Sequence, residues 1–410
     1  MPLGRRAVLK LALSTVVLAL GAVFGRDAWY WAQRAGGPVV TPEAYGAVGN
    51  GVADDALALS RACRALQARG HGQLRLKGIY RIGRGNPGGH RVGALELLGG
   101  DWYEVVFEAG AELLMDNLNP DTGNGDELGG IYFAGPLNDL VLRAPRIRWK
   151  TPPRVRSQGD GIMGRGYPGD EGPTIRRCLI DHPSVEDAPQ AHIILMGISD
   201  PQVIAPQVRG GHADGLHFNA CRRPVVTGGL AAANVGDDAL ALVTYFGPTG
   251  QAIYSGNPDR APFSVQGLTE WSNSEARIDK VKCLGGQTNA CRMNGVLNGR
   301  VDMVYGQNVP YGLQCDVTQA NGTTLGWTVG ACRGCAVGEV STDGARHALL
   351  ALAQNIDRAA ADAPEFLQMD VSVGAVTARN TVGGVSVLIS ALSGIRVGRY
   401  NVDGQVQVTT

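Results

Sequence analysis

The chain has 410 residues, in which 37 basic and 37 acidic side chains cancel. No block of like charge stands out, so the electrostatic footprint of a nucleic-acid-binding protein is missing and neither DNA nor RNA is an expected partner. Charged residues make up only 18% of the chain and glycine reaches 59 residues without the period of collagen, which favours a turn-rich β protein over a helical one.

The first element in chain order is an address. Residues 1–35 place Arg5-Arg6 and Lys10 around and ahead of an uncharged apolar run from Leu11 to Gly25, the n-region and h-region of an export signal, and too short for a comfortable membrane span. The pattern resembles a twin-arginine signal. It implies a folded part that is exported, periplasmic or extracellular, and either released or anchored in the membrane through residues 7–25. Residues 36–410 are read as one domain, because no linker rich in Pro, Ser or Gly divides them. Cys332 and Cys335 form a lone C-x-x-C, without a second pair or a His at zinc-ligand spacing; they are read as buried or turn thiols, with no metal site.

Residues 41–83, TPEAYGAVGNGVADDALALSRACRALQARGHGQLRLKGIYRIG, combine a Gly-rich turn, an Asp pair, a helix and a strand. Asp54 or Asp55 is placed to N-cap the helix near residues 54–69, Leu57, Leu59, Ala62, Cys63, Ala65 and Leu66 form its apolar face, and Gly70 stops it. The stretch resembles the opening of pectin-lyase-fold proteins, with Asn50 where that family usually has Asp. That resemblance implies an all-β, single-stranded right-handed parallel β-helix from about residue 72 onward, with the helix capping its N-terminal end. A bare end of stacked strands would otherwise invite edge pairing.

Downstream, short β-rich runs such as DLVLRAPRIRW, PQVIAPQVRGG, RPVVTGGLAAANV and VSVLISALSGIRVGRYNV recur at coil spacing, many apolar at every second residue. GARHALLALAQNI, near residue 350, is the one later stretch with a helical period. NLNPDTGNGDELGG, SQGDGIMGRGYPGDEGP and FGPTGQAIYSGNPDRAPF are read as loops thrown outward from the coils.

The chemistry-bearing segment is HADGLHFNACRRPVVTGGLAAANVGDDALAL, residues 212–242. One coil takes roughly 20–25 residues and the next lies about 4.8 Å above it, so Asp214 and the pair Asp237-Asp238 stack on one side. Their ionisations are then coupled. The plainer reading is that Asp-Gly and Gly-Asp-Asp are good turn sequences whose side chains bond their own backbone. The segment also resembles the active-site region of polygalacturonases, where Asn-x-Asp-Gly is followed about one coil later by Gly-Asp-Asp. Carried over, Asp214, Asp237 and Asp238 match that family's catalytic aspartates, Asp237 as the acid and the other two holding the attacking water.

The match is incomplete. His212 stands where the family has Asn, no Gly-His-Gly follows, and Arg277-Ile278-Asp279-Lys280 is a distorted relative of the family's Arg-Ile-Lys, with period 2 placing Lys280 opposite Arg277. His212, His217, Arg260, Arg277 and Lys280 are the candidate substrate-binding residues, and Trp271, Tyr245 and Tyr254 could stack on sugar rings. The resulting expectation is an exported glycoside hydrolase acting on a polysaccharide without a cofactor, which inverts the anomeric centre if its acids stand far enough apart. A polysaccharide lyase is the alternative: the three acids would hold Ca²⁺ against a uronate while Arg260, Arg277 or Lys280 takes the proton. A non-catalytic glycan-binding β-helix is the third reading.

Overall fold

The computed structural model of the protein describes residues 37–409 apart from 86–91, 124–127, 158, 167–173, 247–271, 320–327 and 355–367. The export segment, Arg260, Tyr254 and Trp271 lie outside the described residues.

Parallel strands pair with strands one coil later, and every full coil crosses three ladders. Sheet 1 carries, among others, Ile162–Arg165, Ile193–Met196, Leu216–Asn219, Leu240–Val243 and Asn289–Asn294. Sheet 2 takes Pro201–Ile204 and Val225–Thr227, and sheet 3 takes Gln207–Arg209 and Leu230–Val235. The register is regular: Ile162, Ile193, Leu216, Leu240 and Cys291 are successive partners, and all five are buried. Such inward columns make the core of a parallel β-helix. Each fully buried large aliphatic side chain contributes about 1.5–3 kcal/mol relative to exposure.

Helix α1 (Ala56–Gln67) closes the N-terminal end with Leu59, Ala62, Cys63 and Leu66, all buried. Leu57 is 40% exposed and belongs to its outer face, not to the apolar stripe. Asp55 stands at the N-cap position but its side chain makes no capping hydrogen bond, and it is Asp54 whose Oδ1 accepts the first helical N–H, that of Ala56, at 3.1 Å. Asp55 instead accepts the Val48 and Gly49 N–H groups at 2.7 and 3.1 Å and so pins the Gly-rich turn. The stack also starts earlier than residue 72: Val39 and Val40 pair with Gln73 and Leu74, and Asn50–Asp54 pairs with Ile79–Gly83, so α1 interrupts a coil already begun.

Two other segments differ from the sequence reading. GARHALLALAQNI holds the strand His347–Gln354, paired with Tyr311–Gln319 on one side and Val385–Ser390 on the other. Its alanines and leucines suit a helix, but two flanking strands claim its backbone, and ladder pairing overrides propensity. SQGDGIMGRG is no outward loop either, since Ile162–Arg165 is a sheet-1 strand. All eight cysteines are buried free thiols. No helix among the described residues is long and apolar enough to cross a membrane. At the far end the last strand, Gln405–Thr409, is exposed throughout, with Val406 at 41% and Val408 at 56%.

Candidate active site

The chain turns from sheet 3 into sheet 1 at the same corner in every coil, and the candidate acids line that corner. Asp214 precedes Leu216–Asn219, and Asp237 and Asp238 precede Leu240–Val243. The local sequence is forced by the stacking. A Cβ on Gly215 would lie 2.6 Å from the Ala239 carbonyl oxygen one coil up, and one on Gly236 would run into the His212 backbone one coil down. Glycine is therefore required in both Asp-Gly and Gly-Asp-Asp.

One oxygen from each of Asp214, Asp237 and Asp238 lies within 4.8 Å of the others. Asp214 is held at both oxygens: Oδ1 accepts the Asp238 N–H at 3.1 Å, and Oδ2 lies 2.7 Å from His217 Nδ1. Asp238 Oδ1 accepts Asn289 Nδ2 at 2.6 Å, and Thr288 Oγ1 sits 3.0 Å from Asp237 Oδ1 and 3.2 Å from Asp238 Oδ1. Two guanidinium groups flank the cluster. Arg156 Nη1 donates to Asp237 Oδ2 at 2.9 Å, and Arg292 Nη1 stands 4.0 Å from Asp238 Oδ2.

These surroundings divide the acids. Burial pushes Asp214 up, but the His217 hydrogen bond and charge outweigh it and hold this carboxyl below the usual range. Burial and repulsion from Asp214 raise Asp237 against the pull of Arg156. Asp238, buried and facing both other acids, is pushed well up despite Arg292 and Asn289. Asp237 is the most accessible of the three, with 29% of its side chain exposed.

A fourth acid went unnoticed in the sequence. Asp160, in Gly-Asp-Gly, precedes Ile162–Arg165 at the same corner two coils below Asp214. Its Oδ1 accepts the Ala191 N–H at 3.0 Å, and burial pushes its carboxyl up to about 7. Arg156, Thr288, Asn289 and Arg292 were missed as well. The signal for Asp160 was present, since GDGI repeats the Asp-Gly-aliphatic pattern of ADGL.

Of the candidate substrate-binding residues that the structure describes, only His217 is brought against one of the three acids. His212 sits beside the corner with Nε2 2.9 Å from the Pro153 carbonyl oxygen. Arg277 lies in sheet 2, opposite Val225, and Lys280 at the turn from sheet 2 into sheet 3. Both are exposed, because the corner at Asp279 breaks the alternation. Residues 281–286, roughly 20 Å of strand at about 3.3 Å per residue, separate them from the acids. A trough of about 270 Å³ on sheet 3, floored by Ala231 and Ala233, contains none of the acids, so concavity alone does not locate the site.

The donor set does not fit a bound Ca²⁺ as it stands. Oxygens of all three carboxylates are committed to N–H or O–H donors, and two guanidinium groups already supply the compensating charge.

No protein-family model matches the sequence, and no curated protein does. Among solved structures, the A-module of the Azotobacter vinelandii mannuronan C-5 epimerase AlgE4 superposes with a TM-score of 0.48 at 14% identity, over 91% of this chain and 98% of that one. The Thermotoga maritima exopolygalacturonase gives 0.49 at 10% identity, over 90% and 92%. The Yersinia enterocolitica family 28 exopolygalacturonase gives 0.45 at 10%, over 90% and 79%. The parallel β-helix is defined by this chain's own strand register.

Proposed function

We propose that the protein is a polysaccharide-cleaving glycoside hydrolase. The observation that carries this reading is the convergence, at one corner of the stack, of three carboxyl groups with opposed protonation tendencies. An acid–base pair for glycosidic cleavage requires that division. In this reading Asp237, the accessible and raised acid, protonates the leaving oxygen. Asp214, kept ionised beside His217, takes the proton of the attacking water, and Asp238 shares the proton load from beneath. An inverting pair usually stands roughly 6.5–9.5 Å apart. One oxygen of each acid here lies within 4.8 Å of the others, so the condition attached to inversion is not supported by the spacing. The anomer released, read by NMR, decides the stereochemistry.

The test is a screen of the purified protein against acidic and neutral polysaccharides, following reducing ends and ultraviolet absorbance together. New reducing ends without ultraviolet-absorbing products support hydrolysis; unsaturated ends would replace it with elimination. Asp237→Asn should lower the rate roughly 10²- to 10⁴-fold with the fold unchanged, because an amide cannot supply the proton. Export is part of the same reading and rests on the N-terminal pattern. Changing Arg5-Arg6 to Lys-Lys should strand the protein in the cytoplasm, and undiminished export would point to the general secretory route or a plain anchor.

A further inference from the structure

The two arginines beside the acids are held in different ways. Arg292 is fixed: Nε and Nη2 donate to the two oxygens of the fully buried Asp316 at 2.9 and 2.7 Å, and Asn294 Nδ2 donates to the same carboxylate at 3.0 Å. Arg156 arrives from the loop following the strand Arg146–Trp149, donates Nε to Gln190 Oε1 at 2.6 Å and Nη1 to Asp237 Oδ2 at 2.9 Å, and keeps 48% of its side chain exposed. Asp237, an ion-pair partner of Arg156, is also the group that the hydrolase reading makes the proton donor. A guanidinium on Oδ2 favours the ionised form of Asp237, whereas Asp214 and Asp238 on the other side favour the protonated one. Thr288 bonds the remaining oxygen, Arg292 stands beyond Asp238, and Asp160 lies within the field of Arg156.

We propose that Arg156 is a positioning residue that exchanges Asp237 for an anionic group on the incoming glycan, a carboxylate or a sulfate, and that this exchange arms Asp237. The planar guanidinium can meet such a group through two parallel hydrogen bonds. Once it has turned away, Asp237 keeps the Thr288 hydrogen bond and the more distant charge of Arg292, but burial and the repulsion of its acid neighbours prevail and it takes a proton from solvent. In cleavage that proton passes to the leaving sugar oxygen, and the attacking water gives its own to Asp214. The inference rests on the hydrolase reading, but its first step is observable without turnover.

The decisive experiment follows the carboxyl signal of Asp237, assigned by its loss in Asp237→Asn, through a pH titration with and without inorganic sulfate. In the parent, sulfate should raise the midpoint. In Arg156→Gln the midpoint should already be raised and should no longer respond to sulfate, and Arg156→Lys should bring it back down by restoring the charge. A midpoint unchanged in Arg156→Gln, or one that still responds to sulfate there, overturns the proposal whether or not the protein cleaves glycans. Where an acidic glycan is cleaved, Arg156→Gln should lose at least tenfold more in kcat/KM on it than on its carboxyl-reduced form; equal losses would likewise sink the exchange. A parent protein inactive on every glycan but showing the sulfate response would end the hydrolase reading and leave the exchange standing.

Discussion

Asp160 and Asp214 open sheet-1 strands in the same way. Each sits in an Asp-Gly turn at the same corner, each uses Oδ1 to accept a backbone N–H one coil up, from Ala191 and from Asp238, and each is followed by a glycine whose Cβ would strike a carbonyl oxygen, at 2.5 Å for Gly161 and 2.6 Å for Gly215. Two features separate them. Asp214 has His217 on its second oxygen, and the coil above it brings Asp237 and Asp238, whereas the coil above Asp160 presents Ala191. The first turn ends with a carboxyl raised to about 7, the second with one held low. Turn-building and chemistry are therefore not rival explanations of an Asp-Gly pair. The backbone role is common to both, and in the hydrolase reading what the next coil delivers decides whether chemistry is added.

The sharpest test of that comparison is activity. Asp214→Asn should lower turnover roughly 10²- to 10⁴-fold, since the amide still accepts the Asp238 N–H but no longer takes a proton from water. Asp160→Asn should stay within a few-fold of the parent on the same glycan. Equal losses in kcat at the two positions would erase the distinction.

The next effect is in stability against pH. Asp160 has a folded pKa of about 7, above the unfolded value of about 3.9. Between those values the native state binds more protons than the unfolded chain, so this group lowers stability as pH rises through the window and costs it most above pH 7. At about 1.4 kcal/mol per pKa unit the change reaches roughly 4 kcal/mol. Asp160→Asn should flatten it, in urea unfolding compared at pH 5 and pH 8. The contribution of Asp214 runs the other way, being present above its unfolded pKa and lost as pH falls through the folded one.

A smaller effect checks the shared part. Gly161→Ala and Gly215→Ala should each destabilise by about 1–3 kcal/mol, because both add a carbon against a neighbouring coil's backbone. Thermal unfolding that spares one and not the other would show that the two turns are not built alike. Smallest of all, His212→Ala gives up one hydrogen bond to the Pro153 carbonyl and should cost about 1 kcal/mol or less, with little change in turnover.

Period-2 runs and the residues 41–83 pattern made the coil and its cap legible in the sequence, and one-coil spacing made the clustering of Asp214, Asp237 and Asp238 legible. The strands that carry the acids were harder to see. Leu216–Asn219 and Leu240–Val243 are buried on both faces, so they lack the alternation that marks a half-exposed strand. Arg156 and Arg292 escaped for another reason. They reach the acids from 81 and 54 residues away along the chain, through a loop and a later coil, and no local spacing announces such a meeting. Arg277 and Lys280 failed to arrive because the chain bends at Asp279, whose carboxylate accepts the Gly228 and Gly229 N–H groups and so fixes a corner where the sequence reads as one strand.

The uncovered last coil has a consequence for how the molecule comes apart. In a stack where each coil touches only its neighbours, stability is a sum of nearest-neighbour terms, and opening proceeds from whichever end is cheapest to release. With α1 seated on one end and Gln405–Thr409 exposed at the other, fraying of this chain should start at Gln405–Thr409. Five sheet-1 strands, from Asn289–Asn294 to Gln405–Thr409, lie between the acids and the open end. Amide exchange should be fastest in the final coil and slow progressively inward, so breathing at the terminus dies out before it reaches the corner where Asp237 and Asp214 meet.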